Sequence, residues 1–184
     1  MKQRTTQSGF TLTQLIVSLA IMVIIMLISV PAFSTIIARS RTSAATRAVI
    51  GDMLTARSMA VGTGWQTKII GFGGPSSNAQ KNQYRMLARQ NTGVAWPADT
   101  AATARTATTW AEPWQNMTTL YPGVSLDPGG TSSQDRFDVQ FDPSGAATMS
   151  TNDFAPLRIL GTKDALNITI SASGGISTST GTFP

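Results

Sequence analysis

SGFTLTQLIVSLAIMVIIMLISV, residues 8–30, decides how the rest of the chain is read. From Leu15 to Val30 only Ser18 and Ser29 interrupt the apolar run, and no charged side chain stands between Arg4 and Arg39. An α-helix needs about 20 residues to cross a hydrocarbon layer of about 30 Å. Residues 10–30 have that length and read as one transmembrane helix. Lys2 and Arg4 ahead of it favour a cytoplasmic N-terminus with everything after the helix outside. Arg39, Arg41 and Arg47 follow on the other side and pull against that orientation. A cleaved secretory signal stays open as the competing reading, because a basic segment, an apolar core and the small-residue site Val30-Pro31-Ala32 occur in the right order.

The remaining length and composition narrow the function. A chain of 184 residues is enough for one folded head plus this appendage. With no cysteine and no histidine there is no disulfide, no thiolate chemistry and none of the usual zinc or iron ligand sets. Glu112 is the only glutamate, so acid/base work would rest on the aspartates, and nucleophile–histidine pairs cannot be built. A non-enzymatic protein without metal or cofactor is expected; a membrane-anchored hydrolase using aspartate pairs is the enzyme alternative. The net charge is +5, yet only 12% of residues are charged, about half the usual share. The surface is therefore Ser/Thr/Gly-rich, unlike a lysine-dense nucleic-acid binder.

A glycine and a polar patch directly before an apolar helix have no place in a signal peptide. Gly9 followed by Phe10-Thr11-Leu12-Thr13, behind a short basic leader, resembles the type IV pilin and pseudopilin superfamily. The resemblance implies an α+β, pilin-like fold: a long N-terminal helix, transmembrane then amphipathic, packed on a small antiparallel β-sheet head. It implies a leader over residues 1–9, cleavage between Gly9 and Phe10 by a prepilin peptidase, and N-methylation of Phe10. It implies partners as well: other pilins or pseudopilins, and an inner-membrane assembly platform, with the head periplasmic. Pro31 stands where that family often carries a helix-bending proline, and Pro31 and position 14 would take part in subunit packing. Where the family places glutamate to neutralise a neighbour's amino-terminus, this chain has Gln14. Glutamine accepts a hydrogen bond but cannot cancel a buried charge. A tip subunit, with no neighbour ahead of it, tolerates that loss; a neutral variant of a shaft subunit is the other reading.

Past Pro31 the helix is expected to continue as an amphipathic segment over residues 31–62. Ala45, Val49, Met53, Ala56 and Ala60 fall three and four apart and form one stripe that a sheet must cover. Gly62, Thr63 and Gly64 carry the residues that end helices. Over 63–184 the period changes to two: Thr67 to Phe72, Gln83 to Ala88, Arg136 to Phe141, Leu157 to Leu160 and Leu166 to Ile170 read as strands, and Ile176 begins a last one. In RFDVQF, Phe137, Val139 and Phe141 share one face, and Asp142-Pro143-Ser144-Gly145 is a turn. This layout resembles the heads of the H-type minor pseudopilins of type II secretion and of minor pilins of the FimT kind.

Gln90 to Met117, rich in Ala and Thr and broken by Pro97 and Pro113, reads as an extended loop. Trp96, Trp110 and Trp114 lie in it, either as a surface for a partner or as anchors of the loop on the sheet. Asp127, Asp135, Asp138 and Asp142 lack calcium-loop spacing. Arg39, Arg41, Arg47 and Arg57 form a basic strip that either touches anionic head groups or is a solvated helix face. Binding of DNA, the rival function for such a pilin, needs several cations near one backbone. The tail after Ala165 has no Lys or Arg, and the cations beyond Arg57 are matched in number by acids. By this count nucleic acid is not an expected partner.

Overall fold

The computed structural model describes residues 11–74, 79–99, 103–128, 136–149 and 156–181, apart from the side chains of Val30 and Pro31. The chain divides into two compact units, Met1–Ile37 and Ala38–Pro184. One helix, α1 (Leu12–Thr63), contributes to both. Within the first unit α1 is long and apolar enough to cross a membrane, with an 18-residue stretch of mean hydropathy 2.8. Among the described residues, the second unit holds the rest of α1 and eleven strands, an α+β head with two antiparallel sheets.

In the head the helical stripe is read correctly from its spacing. Ala45, Val49, Met53, Ala56 and Ala60 are all fully buried. Thr42 and Thr46 on the same side satisfy their hydroxyls on the carbonyls of Ala38 and Thr42, at 3.2 and 2.8 Å, so burying them leaves no donor orphaned. The helix stops at Gly64, whose positive φ of 71° lets its N–H reach back to the carbonyl of Ala60.

The larger sheet is built on β1 (Gln66–Phe72), flanked antiparallel by β2 (Gln83–Arg89) and β7 (Arg136–Phe141). Outside these lie β3 (Ala104–Arg105), β4 (Thr109–Ala111), β5 (Gln115–Asn116) and β8 (Ala147–Met149). The smaller sheet runs in the order β11 (Ile176–Gly181), β10 (Ala165–Ile170), β9 (Leu157–Leu160), β6 (Ser125–Asp127). Alternation puts Ile69, Met86, Phe137, Val139 and Phe141 of one sheet, and Leu126, Leu157, Ile159 and Ile168 of the other, into a single core with the α1 stripe. Polar ties support it: Thr67 Oγ1 donates to the carbonyl of Ala56 at 2.9 Å, and the Tyr84 hydroxyl to Asp52 Oδ2 at 2.7 Å.

Two positions depend on a missing side chain or an unusual backbone. Gly71 lies opposite Tyr84 on β2 and Phe137 on β7. A Cβ there would overlap the Phe137 ring and stand 2.9 Å from Tyr84 Cβ, so glycine is the residue that lets two aromatic side chains share that face. Asn82, just before β2, has a positive φ of 57° and is buried. Its Oδ1 accepts from Leu126 N at 2.7 Å, while Nδ2 donates to Val124 O at 3.1 Å and Thr118 Oγ1 at 2.6 Å. One asparagine thus connects the start of β2 to β6 of the other sheet and to the short helix α2 (Met117–Leu120).

The segment read as an extended loop, Gln90 to Met117, differs from that expectation. It contains β3, β4 and β5, with β4 paired to β2 through Leu87↔Ala111, Ala88↔Trp110 and Arg89↔Thr109. Pro97 and Pro113 fall outside these short strands, so neither deprives a sheet of a donor.

Candidate functional site

Two regions carry the residues singled out from the sequence. At the start of α1, the Thr11 amide donates to Gln14 Oε1 at 3.1 Å and the Gln14 amide to Thr11 Oγ1 at 3.3 Å. This reciprocal pair is a capping box, and it satisfies two of the backbone donors that a helix start leaves over. Gln14 is thus occupied by its own helix. The pattern Thr-x-x-Gln before an apolar run was a sufficient signal for it, and reading position 14 only for its charge overlooked it. Gly9 and Phe10 lie outside the described residues, as does the Pro31 side chain.

Beyond the cap, Leu15, Ile16, Leu19, Val23, Ile24 and Leu27 are among side chains exposed by between 49% and 71%, on every side of the helix. Ser18 and Ser29 return their hydroxyls to the carbonyls of Gln14 and Ile25, both at 2.8 Å, which hides the only two polar groups of this stretch. Such a surface can bind lipid or other apolar helices, and it offers nothing for catalysis.

The second region is the face of the large sheet that points away from α1. The alternation placing Phe137, Val139 and Phe141 inward turns Lys68, Arg85, Arg89, Arg136 and Asp138 to this side, together with Ile70 and Leu87. The segment bearing the tryptophans covers it. Arg85, 1% exposed, donates through Nη2 to the carbonyls of Ala98 and Asp99 at 2.7 and 2.8 Å. Arg89 donates to Val94 O at 3.0 Å and Gln66 Oε1 at 2.8 Å. Arg136 meets Asp99 at 2.7 Å and Asp138 at 3.8 Å, and Lys68 lies 4.0 Å from Asp138. The Trp96 ring has both Lys68 and Arg89 within 4.6 Å of its centroid, and Trp114 has Arg85 at 4.7 Å and Phe72 at 5.8 Å. Trp96 and Trp114 pack on the small cluster of Ile70, Leu87 and Ala111, whereas Trp110 packs on the main core. All three are half-buried anchors. Burial pulls the Lys68 ammonium below its ordinary pKa, against the opposing pull of Asp138.

The remaining candidates are dispersed. Asp127 pairs with Arg158 at 3.2 Å, Asp138 belongs to the covered face, and Asp135 lies outside the described residues. Asp142 Oδ1 accepts from the Ser144 hydroxyl and from the amides of Ser144 and Ala146, which holds its carboxyl below the usual range. Among the described residues no three acids come together to hold a metal ion. The arginine strip also divides: Arg39 and Arg47 are exposed, whereas Arg57 donates to the carbonyls of Gly145 and Ser173 at 3.1 and 3.2 Å and joins two turns of the head. Glu112 is half-buried, and burial, then the nearby Asp52 carboxylate, raises its pKa.

No family model, curated protein or solved structure matches this chain.

Proposed function

We propose that this chain is a non-enzymatic minor subunit of a type IV pilus or a type II secretion pseudopilus, acting in filament initiation or at the tip. The observation that carries the reading is that every large apolar side chain from Leu15 to Ile28 is at least 49% exposed. A helix apolar on all sides has no face for water. It is accommodated by lipid before assembly and by similar helices afterwards, with the prepilin peptidase, an ATPase and an inner-membrane platform acting in trans. The motif Gly9-Phe10-Thr11-Leu12-Thr13 supplies the processing site, and the head would lie in the periplasm with the N-terminus in the cytoplasm.

Gln14 supports a terminal position. It caps its own helix and carries no charge, so it offers no counter-ion to the amino-terminus of a neighbour ahead, and a tip subunit has no such neighbour. The geometry of the head weighs against the DNA-binding alternative. Lys68, Arg85, Arg89, Arg136 and Arg158 are already engaged with acids, carbonyls or tryptophans, which leaves few cations of the head to meet phosphate. Duplex DNA is expected to bind no better than the non-specific range of about 10⁻⁴ to 10⁻⁶ M.

Intact mass and N-terminal sequencing of membrane-extracted protein test the reading. A mature chain starting at Phe10 and carrying one extra methyl group is expected; a start at Met1 or Phe33 overturns it. Deletion of the gene is expected to lower pilus number or secretion, and unchanged values of both would remove the assigned role.

A further inference from the structure

The edge of a sheet presents backbone N–H and C=O groups with no strand beside them, and proteins blunt such edges with short strands, charges, proline or bulges. Three of the outermost strands here follow that rule. β3 has two residues and includes Arg105, β8 has three, and β6 has three and includes Asp127. β11 departs from it. It runs for six residues, ISTSTG, and pairs one-to-one with β10 from Ile176↔Ile170 to Gly181↔Ala165 without a bulge. Ser177, Thr178, Ser179 and Thr180 are exposed, and no charged residue follows Asp164 in the sequence.

Among the described residues no strand pairs with the outer side of β11. We propose that this edge is a strand-addition surface, and that its occupant is β11 of a second copy, antiparallel across a two-fold axis. In an antiparallel ladder every second residue turns its backbone groups away from its existing neighbour. Outward-turned residues must lie opposite outward-turned ones and inward-turned opposite inward-turned ones, so a two-fold pairing must centre on a single residue. Either Thr178 lies opposite itself, with Ser177 opposite Ser179, or Ser179 lies opposite itself, with Thr178 opposite Thr180. Both registers oppose hydroxyl to hydroxyl, a favourable cross-strand pair, and neither opposes like charges. A charged partner strand would find no complementary charge on β11 to select it, whereas this strand complements itself. The inference is independent of the filament reading.

The absence of cysteine from the chain makes the test clean. Thr178→Cys and Ser179→Cys are introduced singly into the full chain in detergent micelles and oxidised with diamide. Facing Cα atoms of antiparallel strands, about 4.5–5.5 Å apart, lie within disulfide reach. One of the two variants is expected to form a covalent dimer, and Ser58→Cys, exposed on α1, is not. Thr178→Lys and Ser179→Lys set like charges against each other at the axis and are expected to lower the dimer fraction about tenfold by light scattering at fixed concentration. Far-ultraviolet circular dichroism checks that each variant stays folded. Four outcomes overturn the proposal: a chain monomeric at every concentration, equal cross-linking at 58, 178 and 179, a dimer surviving both lysine substitutions, or a disulfide from this edge to a different protein.

Discussion

Asn82→Ala removes the side chain that connects the two sheets, and its cost can be built from the partners left behind. Leu126 N loses its acceptor at 2.7 Å and Val124 O its donor at 3.1 Å. A buried group deprived of its partner costs about 1–3 kcal/mol. Position 82 also sits at a φ of 57°, where alanine is disfavoured by about 1–2 kcal/mol. Because the losses share one site they do not add fully, and about 3–5 kcal/mol is expected. For a head of this size that corresponds to a fall in Tm of roughly 10–15 °C. Asn82→Gly makes the same hydrogen-bond losses but accepts the left-handed backbone, so it should be about 1 kcal/mol less costly than alanine. Urea unfolding of the full chain in micelles, followed by tryptophan emission, measures both. All four tryptophans, at 65, 96, 110 and 114, lie in the head. A cost below about 1 kcal/mol for alanine would refute the argument that these groups are buried and single-partnered. A glycine variant less stable than the alanine variant would refute the backbone component.

Gly71→Ala is expected to cost about 1–3 kcal/mol by overpacking against Phe137, and Phe137→Leu should destabilise less in that background than in the native chain; additive losses in the double-mutant cycle would count against the overlap. Glu112 has a raised pKa in the fold, so its favourable contribution is complete below the unfolded value and disappears as pH rises through the folded one. Glu112→Gln should therefore stabilise the head at pH 7 by a margin that shrinks toward pH 4, and a margin constant with pH refutes the assignment. Arg57→Ala removes a part-buried bond to Gly145 O and an exposed one to Ser173 O and should cost about 0.5–1.5 kcal/mol in urea unfolding, with Arg57→Lys recovering only part because it lacks the planar fork. Gln14→Ala should weaken the first turn of α1 by about 0.5–2 kcal/mol, read as faster amide hydrogen exchange at residues 11–15, while Gln14→Glu keeps the protection.

The sequence alone determined those features whose cause is local or periodic. Residues 15–30 are apolar whatever surrounds them, and a helix able to cross a membrane follows from length and hydropathy. The five-residue stripe from Ala45 to Ala60 and the alternation in RFDVQF each name their own buried face, because a helix repeats every 3.6 residues and a strand every two. Gly64 and Gly145 adopt the positive φ that their turns require. The Thr11–Gln14 capping box was equally local.

What only the tertiary structure decided concerns the side of the sheet that period-two reading assigns to solvent. Lys68, Arg85 and Asp138 alternate as surface residues should, yet Arg85 and Asp138 are buried and the Lys68 side chain is 11% exposed. The tryptophan-bearing segment folds back over them. Its pairing with β2 rests on backbone hydrogen bonds and cation–aromatic contacts that leave no periodic trace in a stretch rich in Ala, Thr and Pro. The same holds for Gly71, whose small size matters only because Tyr84 and Phe137 flank it, and for Asn82, which is informative only once β6 of the second sheet lies beside it. Strand existence depends on neighbours along the chain, whereas strand order, the covering of a charged face and the filling of a space depend on neighbours across it.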